Sequence, residues 1–84
     1  MIIERSPLFK ARRRHLSSSE CDALKTEIDN LTQNPKLGLD KANIAPGVRT
    51  HAYTDQGGRK VLSYKIVSEE NIVLLSIDQI SISL

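Results

Sequence analysis

Aromatic residues and cysteine are scarce in this chain. Its 84 residues include no Trp, one Phe and two Tyr, so the core is expected to be aliphatic, built from Leu, Ile and Val. A single cysteine, Cys21, excludes an intramolecular disulfide and fits a reducing cytoplasm. His15 and His51 lie far apart, and one thiol cannot complete a standard zinc site. No metal or other cofactor is therefore expected. No apolar run approaches the roughly 18–20 residues that span a bilayer. Met1-Ile2-Ile3 followed by Glu4 and Arg5 lacks the pattern of a secretory signal. A cytoplasmic protein without membrane contact is the expectation. A chain this short buries only roughly 60% of its unfolded surface, so one domain over residues 1–84 is expected.

Acidic residues are missing where basic ones gather. The formal net charge is only +2. Yet Arg5, Lys10, Arg12, Arg13 and Arg14 stand against Glu4 alone, and from Lys36 to Lys65 six basic residues face Asp40 and Asp55. Two basic regions on a small domain suggest an anionic partner, nucleic acid or an acidic protein segment. A solvated surface would account for the arginine run equally well.

What is present reads as α+β. Met1 to Arg5 is short and β-branched and is read as a strand. Ser6-Pro7 has the form of a helix start, because the serine can accept from a free backbone donor and proline suits the first helical position. The spacing of Phe9 and Leu16 predicts a helix to about Leu16. Ser17 and Glu20 form a capping-box pattern. Cys21, Leu24, Ile28 and Leu31 then recur at helical spacing, which places Cys21 in the core, and Pro35 ends the helix near Gln33 or Asn34. Pro35 to Gly47 reads as a loop with at most a turn of helix. Val48–Tyr53, Arg59–Val67 and Ile72–Ile77 are β-rich, separated by turn signals at Asp55-Gln56-Gly57-Gly58 and Ser68–Asn71. The tail Ile80, Ile82 and Leu84 alternates out of phase with Ile77, so a bulge or turn is expected near Asp78-Gln79.

Splitting the strands by alternation predicts that Val48, Ala52, Leu62, Tyr64, Ile66, Val73, Leu75 and Ile77 pack under the helices. The opposite face would carry Arg49, His51, Tyr53, Arg59, Ser63, Lys65, Ser76 and Asp78. Arg49, Arg59 and Lys65 could bind phosphate and stabilise charge developing on phosphorus. His51 could act as general acid or base, and Tyr53 could stack a base. A polar, solvated sheet face is the plain alternative.

This order of elements resembles the RelE/ParE superfamily of bacterial type II toxins. The features that carry the resemblance are Phe9 in a basic first helix, Leu31 with Asn34-Pro35-Lys36-Leu37-Gly38, then Gly47-Val48-Arg49. Lys60-Val61-Leu62-Ser63-Tyr64-Lys65-Ile66 and Ile72-Val73-Leu74-Leu75-Ser76-Ile77 follow. The resemblance implies an N-terminal strand and a two-helix hairpin packed on an antiparallel three- to four-stranded sheet, neutralised by a cognate antitoxin. It implies a ribosome-dependent, metal-independent mRNA endonuclease (an mRNA interferase) or, alternatively, a ParE-like inhibitor of DNA gyrase or a non-catalytic member. Under the nuclease reading, Arg49, His51, Arg59 and Lys65 would be catalytic. Lys60 (an alternate to Arg59), Tyr53, Arg12, Arg13, Lys36 and Lys41 would contact RNA. Many members end the last strand in His or Tyr, whereas this chain has Asp78 and Gln79.

Overall fold

In a computed structural model, which describes residues 1–80, the chain forms β1 (Ile2–Arg5), α1 (Pro7–Arg13), α2 (Ser18–Gln33), β2 (Leu39–Asp40), β3 (Val48–Asp55), β4 (Gly58–Ser68) and β5 (Asn71–Ile80). The strands make one sheet in the order β1-β5-β4-β3-β2. The meander β3-β4-β5 is antiparallel as expected, and the sheet grows at both ends. β1 adds parallel to β5 and two-residue β2 adds antiparallel to β3. The sheet is therefore five-stranded and mixed rather than three- to four-stranded and antiparallel, and the expected loop holds a short strand.

Serines set both helix starts. Ser6 Oγ accepts from Phe9 N at 3.1 Å and donates to Leu75 O at 2.6 Å, so the cap of α1 is also fastened to β5. Ser17 and Glu20 close the expected capping box at the start of α2. The chain must be extended at Ser17 (φ −70°, ψ 169°) to form that cap. This is why α1 stops at Arg13 instead of reaching Leu16: His15 and Leu16 donate to Arg12 and Arg13 in tight turns that redirect the chain.

The core is Phe9, Leu24, Ile28, Leu31, Tyr53, Leu62, Tyr64, Ile72, Leu74 and Ile77. Seven of these ten are Leu or Ile, as expected, but all three aromatic residues of the chain join them and no valine does. Val48, Val61, Val67 and Val73 are half-buried or exposed, where β-branched side chains still suit the pleat. Cys21 is also only half-buried.

The sheet faces are corrected as well. The β3–β4 loop is Gln56-Gly57, and Asp55 pairs with Gly58, whose φ of +118° favours glycine. That register sets His51 opposite Leu62 and Tyr53 opposite Lys60. Cross-strand partners share a face, so Arg49, His51 and Tyr53 turn toward the helices and Val48, Thr50 and Ala52 away. β4 follows the expected split, with Leu62 and Tyr64 buried and Lys65 exposed. In β5 a bulge at Leu75, between the Ser63–Ser76 and Tyr64–Leu74 pairs, changes phase earlier than Asp78-Gln79. It lets Ile72, Leu74 and Ile77 all reach the core, where Val73 and Leu75 were expected in place of Ile72 and Leu74. Ile80 ends β5 exposed, and Ile82 and Leu84 lie outside the described residues.

Candidate nucleic-acid interface

The expected site residues are divided between the two faces of the sheet. The open face keeps Arg59 and Lys65 of β4, both exposed. Between them Ser63 lies in a cross-strand row with Thr50 and Ser76. Arg59 and Lys65 are six residues apart on one strand, about 20 Å between backbones. They are spaced to grip different phosphates of one strand rather than to converge on a single phosphate. At the free end of β5, Ser76 Oγ donates to Asp78 Oδ2 at 3.0 Å, and Asp78 Oδ1 pairs with Arg12 of α1. The Arg12 guanidinium is thus already matched by a carboxylate. Among the described residues, no His or Tyr side chain belongs to this face.

On the helix side the polar residues are paired. Lys60 is 1% exposed, and its Nζ donates to Asp55 Oδ1 at 2.7 Å and lies 2.6 Å from Glu20 Oε2. Burial presses the ammonium toward neutrality, but the carboxylates of Asp55 and Glu20 outweigh it and its pKa is raised. The bond from Lys60, with those from the Ser17 backbone and hydroxyl, lowers Glu20 to about 2. One residue therefore caps α2 and docks the β3–β4 hairpin.

His51 Nε2 donates to Glu27 Oε2 at 2.8 Å, and the His51 ring stacks on Tyr53 at 6.1 Å. Tyr53 is 8% exposed. Burial, then the negative charge of Asp55, Glu27 and Glu20, raises its phenol pKa and keeps it neutral. A base has no access to that ring. Arg49 closes the loop over β2: Nε donates to Gly38 O at 3.0 Å and Nη2 to Lys36 O at 3.3 Å. Tyr64 clamps the same segment, donating to Pro35 O at 2.6 Å and accepting from Gly38 N at 2.9 Å. A side chain at Gly38 would strike Thr50 O at 2.7 Å and the Tyr64 hydroxyl at 2.8 Å. The Asn34-to-Gly38 segment is thus a strap held by Arg49 and Tyr64.

Of the remaining candidates, Lys36 is exposed and Lys41 half-buried in the β2 region, and Arg13 faces a groove beside α2. The structure brings Arg59 and Lys65 onto one face and His51, Tyr53 and Lys60 onto the other, with Arg49 at the strap. The sequence reading missed the carboxylate partners Glu20 and Glu27. Their spacing of seven sets both on the flank of α2 that faces the sheet, a signal that was available. Among the described residues no helix is long and apolar enough to cross a membrane.

No protein-family model matches the chain, and no curated protein matches its sequence. Among solved structures, it is similar to a chain of the crystal structure of the intact E. coli RelBE toxin–antitoxin complex. The TM-score is 0.78 at 14% identity, covering 95% of this chain and 96% of that one. The two chains share one fold. The likeness covers nearly the whole of both chains, so the α+β arrangement of two helices on a sheet implied by the sequence resemblance is observed, with the sheet extended to five strands and mixed.

Proposed function

We propose that this chain is the toxin of a type II toxin–antitoxin pair, and that it acts on mRNA at the ribosome through the open face of its sheet. The observation that carries the reading is the near-complete structural likeness to a chain of a toxin–antitoxin complex, at a TM-score of 0.78. The chemistry of the open face adds to it. Arg59 and Lys65 are exposed cations on a rigid strand, suited to phosphates several nucleotides apart on an extended RNA. The hydroxyls of Ser63, between them, and Thr50 on the neighbouring strand offer donors to ribose and phosphate oxygens. Cleavage would be attack of a ribose 2′-hydroxyl on the adjacent phosphorus, giving a 2′,3′-cyclic phosphate as the P–O5′ bond breaks, with the 2′-hydroxyl proton lost to solvent and the departing 5′-oxygen protonated from solvent. One of the two cations would stabilise the charge that develops on the oxygens of the reacting phosphate, and the other would hold the strand at a more distant phosphate.

A second reading is favoured by the position of His51 and Tyr53. Both are turned to the helix side, so the open face lacks the residue types best suited to proton transfer. A toxin that binds without cutting, such as a gyrase inhibitor, or a non-catalytic member of the same fold, needs none.

Expression with and without the adjacent reading frame separates these readings. Growth arrest relieved by the neighbour, with mRNA cut in the ribosomal A site, is the expected result. Arrest with DNA damage and intact mRNA would favour the gyrase reading. Unimpaired growth would overturn both.

A further inference from the structure

His15, in the turn between the helices, and Gln79, near the end of β5, meet in one cleft. β1 pairs with β5 only from Asn71 to Leu74, so the outer edge of residues 75–80 has no strand neighbour among the described residues. α1 packs on β5 there, and the tip of the β3–β4 hairpin closes one end. The space between them is about 320 Å³, at the small end of the roughly 300–1,000 Å³ of ligand clefts. Ile77 and Lys60 are buried in its floor with half-buried Leu16, and His15 and Gln79 stand exposed at its rim. A side chain at Gly57 would strike Glu20 Oε2 and come within 2.9 Å of Lys60 Nζ, so the glycine leaves that corner open.

The fixed charges in its wall are matched locally, Arg12 by Asp78 and Lys60 by Glu20. The cleft therefore suits a flat neutral ligand with hydrogen-bonding edges better than a phosphate. Capacity for such edges remains. Arg12 has N–H groups beyond those that one carboxylate takes. Gln79 Nε2 donates to Gly57 O at 2.7 Å, which leaves its Oε1 to accept. The cleft also adjoins the open face. Asp78 lies opposite Val61, and Arg59 is the next open-face side chain along β4.

We propose that this cleft is a base-specific subsite that takes a guanine from an RNA strand gripped at Arg59, the base turning over the free edge of β5. The inference rests on the RNA reading above. Arg12 donates to O6 and N7, the edge of guanine that arginine most often reads. Gln79 Oε1 accepts from the N1 and N2 side, and the His15 ring stacks on the base. Adenine turns an amino donor toward Arg12, and neither pyrimidine has the paired O6 and N7 acceptors.

Sequencing the ends of mRNA cut on translating ribosomes tests the subsite. The unmodified chain should favour guanine over the other bases by about tenfold at one fixed position relative to the cut. His15→Ala/Gln79→Ala alters only exposed residues, so its fold, checked by circular dichroism, is expected to be unchanged, and the preference should fall to within about twofold. Arg12→Lys keeps a charge opposite Asp78 but not the planar fork, and should lose the preference too. Arg59→Ala/Lys65→Ala should instead slow cutting at all sites alike and keep the preference in the cutting that remains. Cutting without a base preference, a preference for another base, or a guanine preference that survives in either cleft variant overturns the subsite while leaving the RNA reading intact. If the unmodified chain cuts no mRNA, the nuclease reading fails and the subsite fails with it.

Discussion

The two faces of this sheet use the same residue types in opposite ways. On the helix side Lys60, His51 and Arg49 are committed to Glu20 and Asp55, to Glu27, and to the carbonyls of Gly38 and Lys36. On the open side Arg59 and Lys65 have no carboxylate within 4.0 Å among the described residues and stand in water. A buried cation that loses its partners costs several kcal/mol, whereas an exposed one loses little. Charge therefore holds the fold together on one face and is free for a ligand on the other. Residue type alone does not distinguish the two roles, and burial does.

The comparison breaks first at Lys60. Lys60→Ala leaves Glu20 and Asp55 facing each other beside the core and should cost about 3–5 kcal/mol in urea unfolding. Lys60→Met, which fills the same space, should be milder if packing matters as much as charge. Leu62→Ala comes next, at about 2–5 kcal/mol, against less than about 1 kcal/mol for Val61→Ala on the open side of the same strand.

Acid tests the Lys60 network without mutation. Glu20 is lowered from 4.5 to about 2 in the folded chain. Its contribution is fully present above about pH 4.5 and is lost as pH falls through that window toward about 2. Urea midpoints should fall across this range, and Glu20→Gln should flatten that part of the profile. Tyr64→Phe removes both bonds to the strap and should cost about 1–2 kcal/mol. Proteolysis should then begin near Pro35–Leu37. The smallest effect on stability, within about 0.5 kcal/mol, is expected for Arg59→Ala/Lys65→Ala, and equal destabilisation there and at Lys60 would erase the contrast between the faces.

Much of this architecture was legible in the residues. The capping box at Ser17 and Glu20, the stop before Pro35 and both meander turns follow from local chemistry. β1 and β2 were legible only as a strand and a loop, because their pairing depends on partners distant in sequence. The face of β3 was misassigned because apolarity was weighed ahead of register. Taking Gln56-Gly57 as a two-residue loop puts Leu62 opposite His51 and Tyr64 opposite Arg49, and so turns all four to the helices. The polar members are tolerated there because Glu27 of α2 meets His51 and the Pro35–Gly38 backbone meets Arg49 and Tyr64. In β5 no local signal marks the bulge at Leu75. It is set by the need to bring Ile72, Leu74 and Ile77 into one core. Of the candidate site, the cations Arg59 and Lys65 were readable from alternation within β4. The engagement of Arg49, His51 and Tyr53 depended on the tertiary register.

The most direct test of the open face as the working surface is cleavage of mRNA on translating ribosomes by three forms of the chain. The unmodified protein and His51→Gln should cut at similar rates, and Arg59→Ala/Lys65→Ala should cut at least about 100-fold more slowly at unchanged thermal stability. If the double variant cuts normally and a fully folded His51→Gln does not cut, the working surface lies on the helix side and the division of roles between the faces is wrong.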